Sequence, residues 1–116
     1  MVFKRFHVGE RLSEMAVHHG TVYLAGQVAE DLTADISAQT RDVLAAIDRL
    51  LAEAGTDKTR ILMTMIYMKD IREFPAMNAV WDAWVPYGHA PPRATVEAAL
   101  FNPGCLIEIV VTAALP

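Results

Sequence analysis

Two residues near the C-terminal end have the right types for chemistry. In HAPPRATVEAAL (89–100), Arg93 opens a strand-like alternation of Ala94, Val96 and Ala98 with Arg93, Thr95 and Glu97. A second run, Leu106 to Leu115, is almost wholly apolar yet carries one carboxylate, Glu108. An ionised carboxylate in a buried strand is costly unless it is paired. Three readings are open. Glu108 is the structural partner of Arg93, or it faces solvent at a strand end, or the two residues share a pocket. In that pocket Arg93 would hold a substrate carboxylate through a two-pronged hydrogen bond. Glu108 would act there on a water or a proton.

Other polar residues are weaker candidates. Asn78, in FPAMNAVWDAW, lies on neither the most apolar nor a charged stripe and reads by itself as a surface or cap residue. Trp81 and Trp84 share a helix face, which favours core or interface packing over ligand stacking. His89, ahead of Ala90 and two prolines, could serve as a base but reads first as a solvated loop histidine. His18 and His19 precede a turn. The single cysteine, Cys105, in a turn-like NPGC, reads as a small packed residue and cannot form an internal disulfide. The sequence has no nucleophile–base spacing, phosphate loop or zinc-ligand pattern, so no metal is expected.

The elements that must position these residues follow from the pattern. The 116 residues suit a single domain, 1–116. With 53% hydrophobic and 21% charged residues the chain reads as a folded, core-rich domain. A net charge of −4 with scattered lysines and arginines argues against nucleic-acid binding. The opening MVFKRFHVGE lacks a signal-peptide core, and no apolar run nears the ~20 residues of a membrane span. The cytoplasm is the expected compartment, with no membrane partner.

Strands are expected over 3–8, 13–19 and about 21–25, with a turn at Gly20. Ile36, Val43, Leu44, Ile47, Leu50, Leu51 and Ala54 recur at helical spacing between Thr33 and Gly55. Thr33 or Asp35 can cap that helix and Gly55 can end it. A strand fills 59–71, apolar on both sides, its methionines core filler. A second helix covers about 71–84, regular from near Phe74, with Pro75 in its first turn. Strands over 92–100 and 106–115 close an α+β order of ββ, β, α, β, α, ββ. Two helices cover one sheet face and nothing remains for the other, although the strands at 61–68, 92–100 and 106–115 are apolar on both parities. Burying apolar surface gains roughly 25 cal/mol per Å², so a homo-oligomer packed through its sheets is expected.

VYLAGQVAED (22–31), QTRDVLAAIDRLLAEAG (39–55), FPAMNAVWDAWV (74–85), PPRATVEAAL (91–100) and LIEIVVTAA (106–114) together resemble the Rid family of reactive intermediate deaminases. This family is also called YjgF and labelled endoribonuclease L-PSP. The stretch from AMNAVWDAWV to GHAPPRATV is most similar to its YoaB-like branch. The resemblance implies a chorismate-mutase-like fold: a mixed six-stranded sheet with two helices on one face, in a homotrimer with a central sheet-packed barrel. It implies three pockets at subunit interfaces and no cofactor. The implied reaction is hydrolysis of enamine or imine intermediates, such as 2-aminoacrylate and 2-iminobutanoate, to 2-oxo acids and ammonia. The implied partner is thus a small carboxylate-bearing metabolite.

Residue by residue, the resemblance makes Arg93 the carboxylate-binding arginine and Glu108 the glutamate that positions the attacking water. It places Asn78 near the pocket and makes Gly26 the glycine whose backbone lines the site. Three positions depart from the deaminating branch: Ser13 replaces a tyrosine, Ala25 a serine and Thr95 a cysteine. The anion anchor and the water site are kept, while the part that reads the rest of the substrate has changed. The leading expectation is an enamine/imine deaminase acting on a different or bulkier substrate. The alternative is a non-catalytic trimer that binds a small carboxylate. Ribonuclease activity ranks last, because an acidic chain offers no phosphate-tracking groove.

Overall fold

A computed structural model describes residues 3–116. The elements run β1 (Lys4–Val8), β2 (Ser13–His18), β3 (Thr21–Leu24), α1 (Ile36–Ala54), β4 (Ile61–Met68), α2 (Phe74–Trp84), β5 (Arg93–Glu97) and β6 (Ile107–Ala114). The six strands form one mixed sheet in the order β1-β2-β3-β6-β4-β5. All pairs are antiparallel except β4 with β5, which run parallel and are joined through α2. The expected α+β order is therefore the observed one.

Local chemistry explains the boundaries. The β2–β3 turn is made by His19 and Gly20, both at positive φ (51° and 76°), as a two-residue turn with right-handed strand twist requires. Asp35 caps α1 by accepting from the Ala38 N–H at 2.9 Å. Thr33 is already engaged, its N–H and hydroxyl both donating to Asp31. Gly55 ends the helix. The strand expected over 59–71 is shorter, because single 3₁₀ turns occupy Lys58–Arg60 and Ile71–Glu73. Asp57 and Asp70 hold these turns by accepting backbone N–H groups two residues on.

The last two strands are also shorter than expected. β5 stops at Glu97, one residue before the Ala98 N–H makes a last bond to the Met68 carbonyl. A loop then runs to Leu106. Although β5 and β6 are consecutive in sequence, they are not adjacent: β4 lies between them.

The core lies between the sheet and the helices. Val43, Leu44, Ile47 and Leu51 of α1 belong to one buried cluster with Ile66, Met68, Ile107 and Ile109 of the sheet and with Met77 and Trp81 of α2. Strand β6 alternates buried and half-buried along its whole length, so one side faces this core. Its other side carries Glu108, Val110 and Thr112. The register places Tyr67 and Val96 in line with Glu108, Met65 with Val110, and Tyr23 with Thr112. No helix covers this side, and Tyr23 and Val96 are 49% and 41% exposed. The uncovered apolar face expected from the sequence is present. No helix among the described residues is long and apolar enough to cross a membrane.

Candidate functional site

Arg93 and Glu108 lie on opposite faces of the sheet. Strand β4 makes the count possible. Thr64 stands directly across from Arg93 on one side and from Val111 on the other, whereas Tyr67 stands across from Val96 and Glu108. Residues 64 and 67 differ by three, and strand side chains alternate with a period of two. Arg93 therefore points to the helix-covered side and Glu108 to the open side. Within one chain they form neither an ion pair nor a pocket, and neither ion pair among the described residues involves either of them.

On the helix-covered side, Arg93 sits under α2. Its guanidinium carbon lies 5.1 Å from the centroid of the Trp81 ring and 5.7 Å from that of Phe74. Its Nη1 is buried without a hydrogen-bond partner, and so are Thr95 Oγ1, Thr64 Oγ1 and Asn78 Oδ1. Thr95 is two residues along β5 and thus shares the face of Arg93. Asn78 is four residues after Phe74 and three before Trp81, on the same face of α2. A buried polar atom without a partner is uncommon and costs roughly 1–3 kcal/mol. Four of them fall on this side of the sheet. Arg93 supplies a donor, Asn78 an acceptor, and the two threonine hydroxyls either. Asn78 is thus part of a cluster, not a surface or cap residue.

On the open side, Glu108 lies over Gly26. A Cβ at Gly26 would collide with the end of the Glu108 side chain, so glycine lets the carboxylate lie against the backbone in this position. Gly26 adjoins a bridge in which Gln27 and Ile109 exchange backbone hydrogen bonds at 2.9 and 3.1 Å. This bridge brings the AGQ segment beside β6. The Gln27 amide donates to the Ala25 carbonyl at 3.0 Å and to a Glu14 carboxylate oxygen at 3.1 Å. The Ala25 N–H donates to the Glu14 carbonyl at 2.9 Å. Ala25, Gly26 and Glu108 are thus gathered at one end of the sheet, with Ser13 next to Glu14 at the start of β2. Glu108 makes no side-chain hydrogen bond among the described residues, which leaves its lone pairs free.

The remaining candidates lie elsewhere. Cys105 is fully buried, its thiol directed at the Ile107 carbonyl, and burial pushes its pKa up. That suits a packed residue and not a nucleophile. His89 is exposed in the loop before β5. His18 meets the His19 ring edge-on and lies tilted beside Phe3 at the β2–β3 turn. No group of three or more metal-ligating side chains occurs among the described residues.

Thr64 and Phe74 are not among the candidates that the sequence offers, and Trp81 reads there as core or interface packing. The signal for Thr64 was the one hydroxyl inside ILMTMIYM. For Phe74 and Trp81 it was their spacing of four and three residues from Asn78.

The chain matches the family described as Endoribonuclease L-PSP over residues 4–115. It is 47% identical to a RutC family protein of Haemophilus ducreyi over 111 residues, covering 96% of this chain and 95% of that one. It is 44% identical to the RutC family protein YoaB of Escherichia coli over 115 residues, covering 99% of this chain and all of that one. Its fold superimposes on the crystal structure of NMB1025 from Neisseria meningitidis, described as a YjgF family member. The TM-score is 0.95 at 44% identity, with 100% of this chain and 97% of that chain covered. Motifs, fold and relatives agree, and the chain belongs to the endoribonuclease L-PSP family, the YjgF/Rid family that its motifs resemble.

Proposed function

We propose that the protein hydrolyses small enamine or imine acids to 2-oxo acids and ammonia, in pockets formed between the subunits of a homotrimer. The observation that carries this reading is the unpartnered polar cluster around Arg93. Arg93 is half-buried with its Nη1 enclosed, and none of the described residues pairs it with an anion, so a ligand carboxylate fits where an internal one is missing. The opposite placement of Glu108 supports the oligomer. The sheet separates the two residues in one subunit, but Arg93 lies on the edge strand β5, so a second copy laid against that edge can bring the Glu108 of its own open face to the first subunit's Arg93.

In such a pocket each group has one task. Arg93 holds the carboxylate and Asn78 accepts a hydrogen bond from a donor on the substrate. Glu108 takes a proton from a water, whose oxygen adds to the imine carbon, and passes that proton to the nitrogen. The hydroxyl proton of the adduct follows it to nitrogen as the C–N bond breaks, so ammonia leaves and a 2-oxo acid remains. Gly26 gives the Glu108 carboxylate its place beside the backbone. Thr95 offers a hydroxyl where the deaminating branch has a thiol, and Ala25 and Ser13 offer less than the serine and tyrosine found there. These three positions point to a substrate whose far end differs.

Glu108→Gln tests the reading, because it keeps the shape and removes the base. With 2-iminobutanoate made in situ by an amino-acid oxidase, release of the 2-oxo acid should fall roughly 100-fold, the scale of a positioned general base. Affinity for 2-oxobutanoate and the melting temperature should persist. A variant that loses stability and binding together would make Glu108 a structural partner of an arginine across the interface. Wild-type protein that binds 2-oxobutanoate yet releases product no faster than buffer would establish the non-catalytic binder instead.

A further inference from the structure

An arginine can be held by carboxylates and carbonyls, which occupy its donors, or by aromatic faces, which hold the planar cation and leave the donors free. Arg93 is held in the second way. Trp81 and Phe74 face its guanidinium at 5.1 and 5.7 Å, while its buried Nη1 has no hydrogen-bond partner. Both rings come from α2, seven residues apart, close to two turns of one face. Trp81 is 5% exposed, so its ring is fixed by the core behind it. The other tryptophan of α2 makes the contrast. Trp84 also faces a cation, Lys58, at 4.9 Å. That ammonium already donates to the Trp84 carbonyl at 2.7 Å, and the indole N–H donates to Asp48 at 2.9 Å. The Trp84 pair is closed on itself, whereas the Arg93 pair is open.

We propose that Trp81, seconded by Phe74, is a positioning residue for Arg93. It fixes the plane of the guanidinium and so sets carboxylate affinity without touching the ligand. A free arginine side chain loses rotamer freedom when it captures an anion, and that loss weakens binding. A guanidinium already lying against two rings has lost it beforehand. The inference rests on the reading of Arg93 as the carboxylate holder given above.

Trp81→Leu and Trp81→Phe separate the possibilities, with Arg93→Lys as reference. The first readout is the Arg93 Nε–H signal in a nitrogen–proton NMR spectrum, which needs no ligand. The second is calorimetric affinity for 2-oxobutanoate. In the wild type the Nε–H signal should be displaced by the ring currents. Trp81→Leu should return it toward the position of a free arginine and weaken 2-oxobutanoate about tenfold, the equivalent of about 1.4 kcal/mol. Trp81→Phe keeps an aromatic face and should hold affinity within about threefold of wild type, although it also opens a cavity and lowers the melting temperature. Equal weakening by Leu and Phe would make Trp81 mere core packing and overturn the proposal. So would an Nε–H signal that ignores the Leu substitution. Should Trp81→Leu not fold, Phe74→Leu carries the same comparison. A displaced Nε–H signal in a wild type that does not bind 2-oxobutanoate would show the clamp but remove the carboxylate. The reading of Arg93 fails in that case, and positioning for an anion fails with it.

Discussion

Arg93 combines a fixed plane with unused donors, and this makes its substitution by lysine a severe change. Lysine keeps the charge but loses the planar fork and its stacking on Phe74 and Trp81. Arg93→Lys should weaken 2-oxobutanoate by roughly 30-fold, as losing a charged hydrogen bond in a buried site does at about 2 kcal/mol. Unchanged affinity in a titration would make Arg93 structural. Gly26 allows a complementary test that leaves Arg93 alone. In Gly26→Ala the new methyl would meet the end of the Glu108 side chain, which is flexible and can swing aside. The protein should fold, bind 2-oxobutanoate normally and lose turnover at least tenfold; full activity in this variant would detach Glu108 from the chemistry. Both candidates were visible in the sequence, because a charge inside an apolar strand contradicts its surroundings. Thr64 obeys the same rule but is smaller and uncharged, so its contradiction is fainter. That Arg93 and Glu108 point apart was not legible, because their relative face depends on which strand lies between them and in what register.

At the scale of elements, α1 was readable almost to the residue, because its apolar spacing and both caps lie within one continuous stretch. Strand ends were less so. The strand expected over 59–71 is trimmed at both ends of β4, because side chains of Asp57 and Asp70 turn the chain locally, and alternation does not register such bonds. One tie between elements has a titration. His7, at the positive φ of 54°, contacts Glu53 of α1 at 2.8 Å and thereby joins the edge strand β1 to the helix layer. The hydrogen bond and charge of Glu53 raise the His7 pKa above the ordinary 6.5. A histidine with a raised folded-state pKa stabilises the fold fully below pH 6.5 and loses that contribution as pH rises through the folded value. The pair is exposed, so the stabilisation is small. Its signature is clearer in NMR. The His7 ring should titrate above 6.5 in the wild type and return toward 6.5 in Glu53→Gln. A midpoint that ignores Glu53 would remove the tie.

The described residues form one sheet, one helix layer and one bare apolar face. The bare face was legible from the sequence because a count of helices leaves nothing to cover it. The number of copies is a matter of shape and was not. Light scattering should give a mass near three times the 12.8 kDa chain; a stable monomer would sink both the assembly and its pockets. The placement of Arg93 and Glu108 on opposite faces then has a consequence for inheritance. Every pocket would draw its arginine from one subunit and its glutamate from the next, so two defective alleles can repair each other. Co-refolding equal amounts of Arg93→Lys and Glu108→Gln chains should restore roughly one pocket in four by random mixing around the ring, although each variant alone is impaired in every pocket. A cell carrying both mutant copies would keep the activity that neither copy confers by itself.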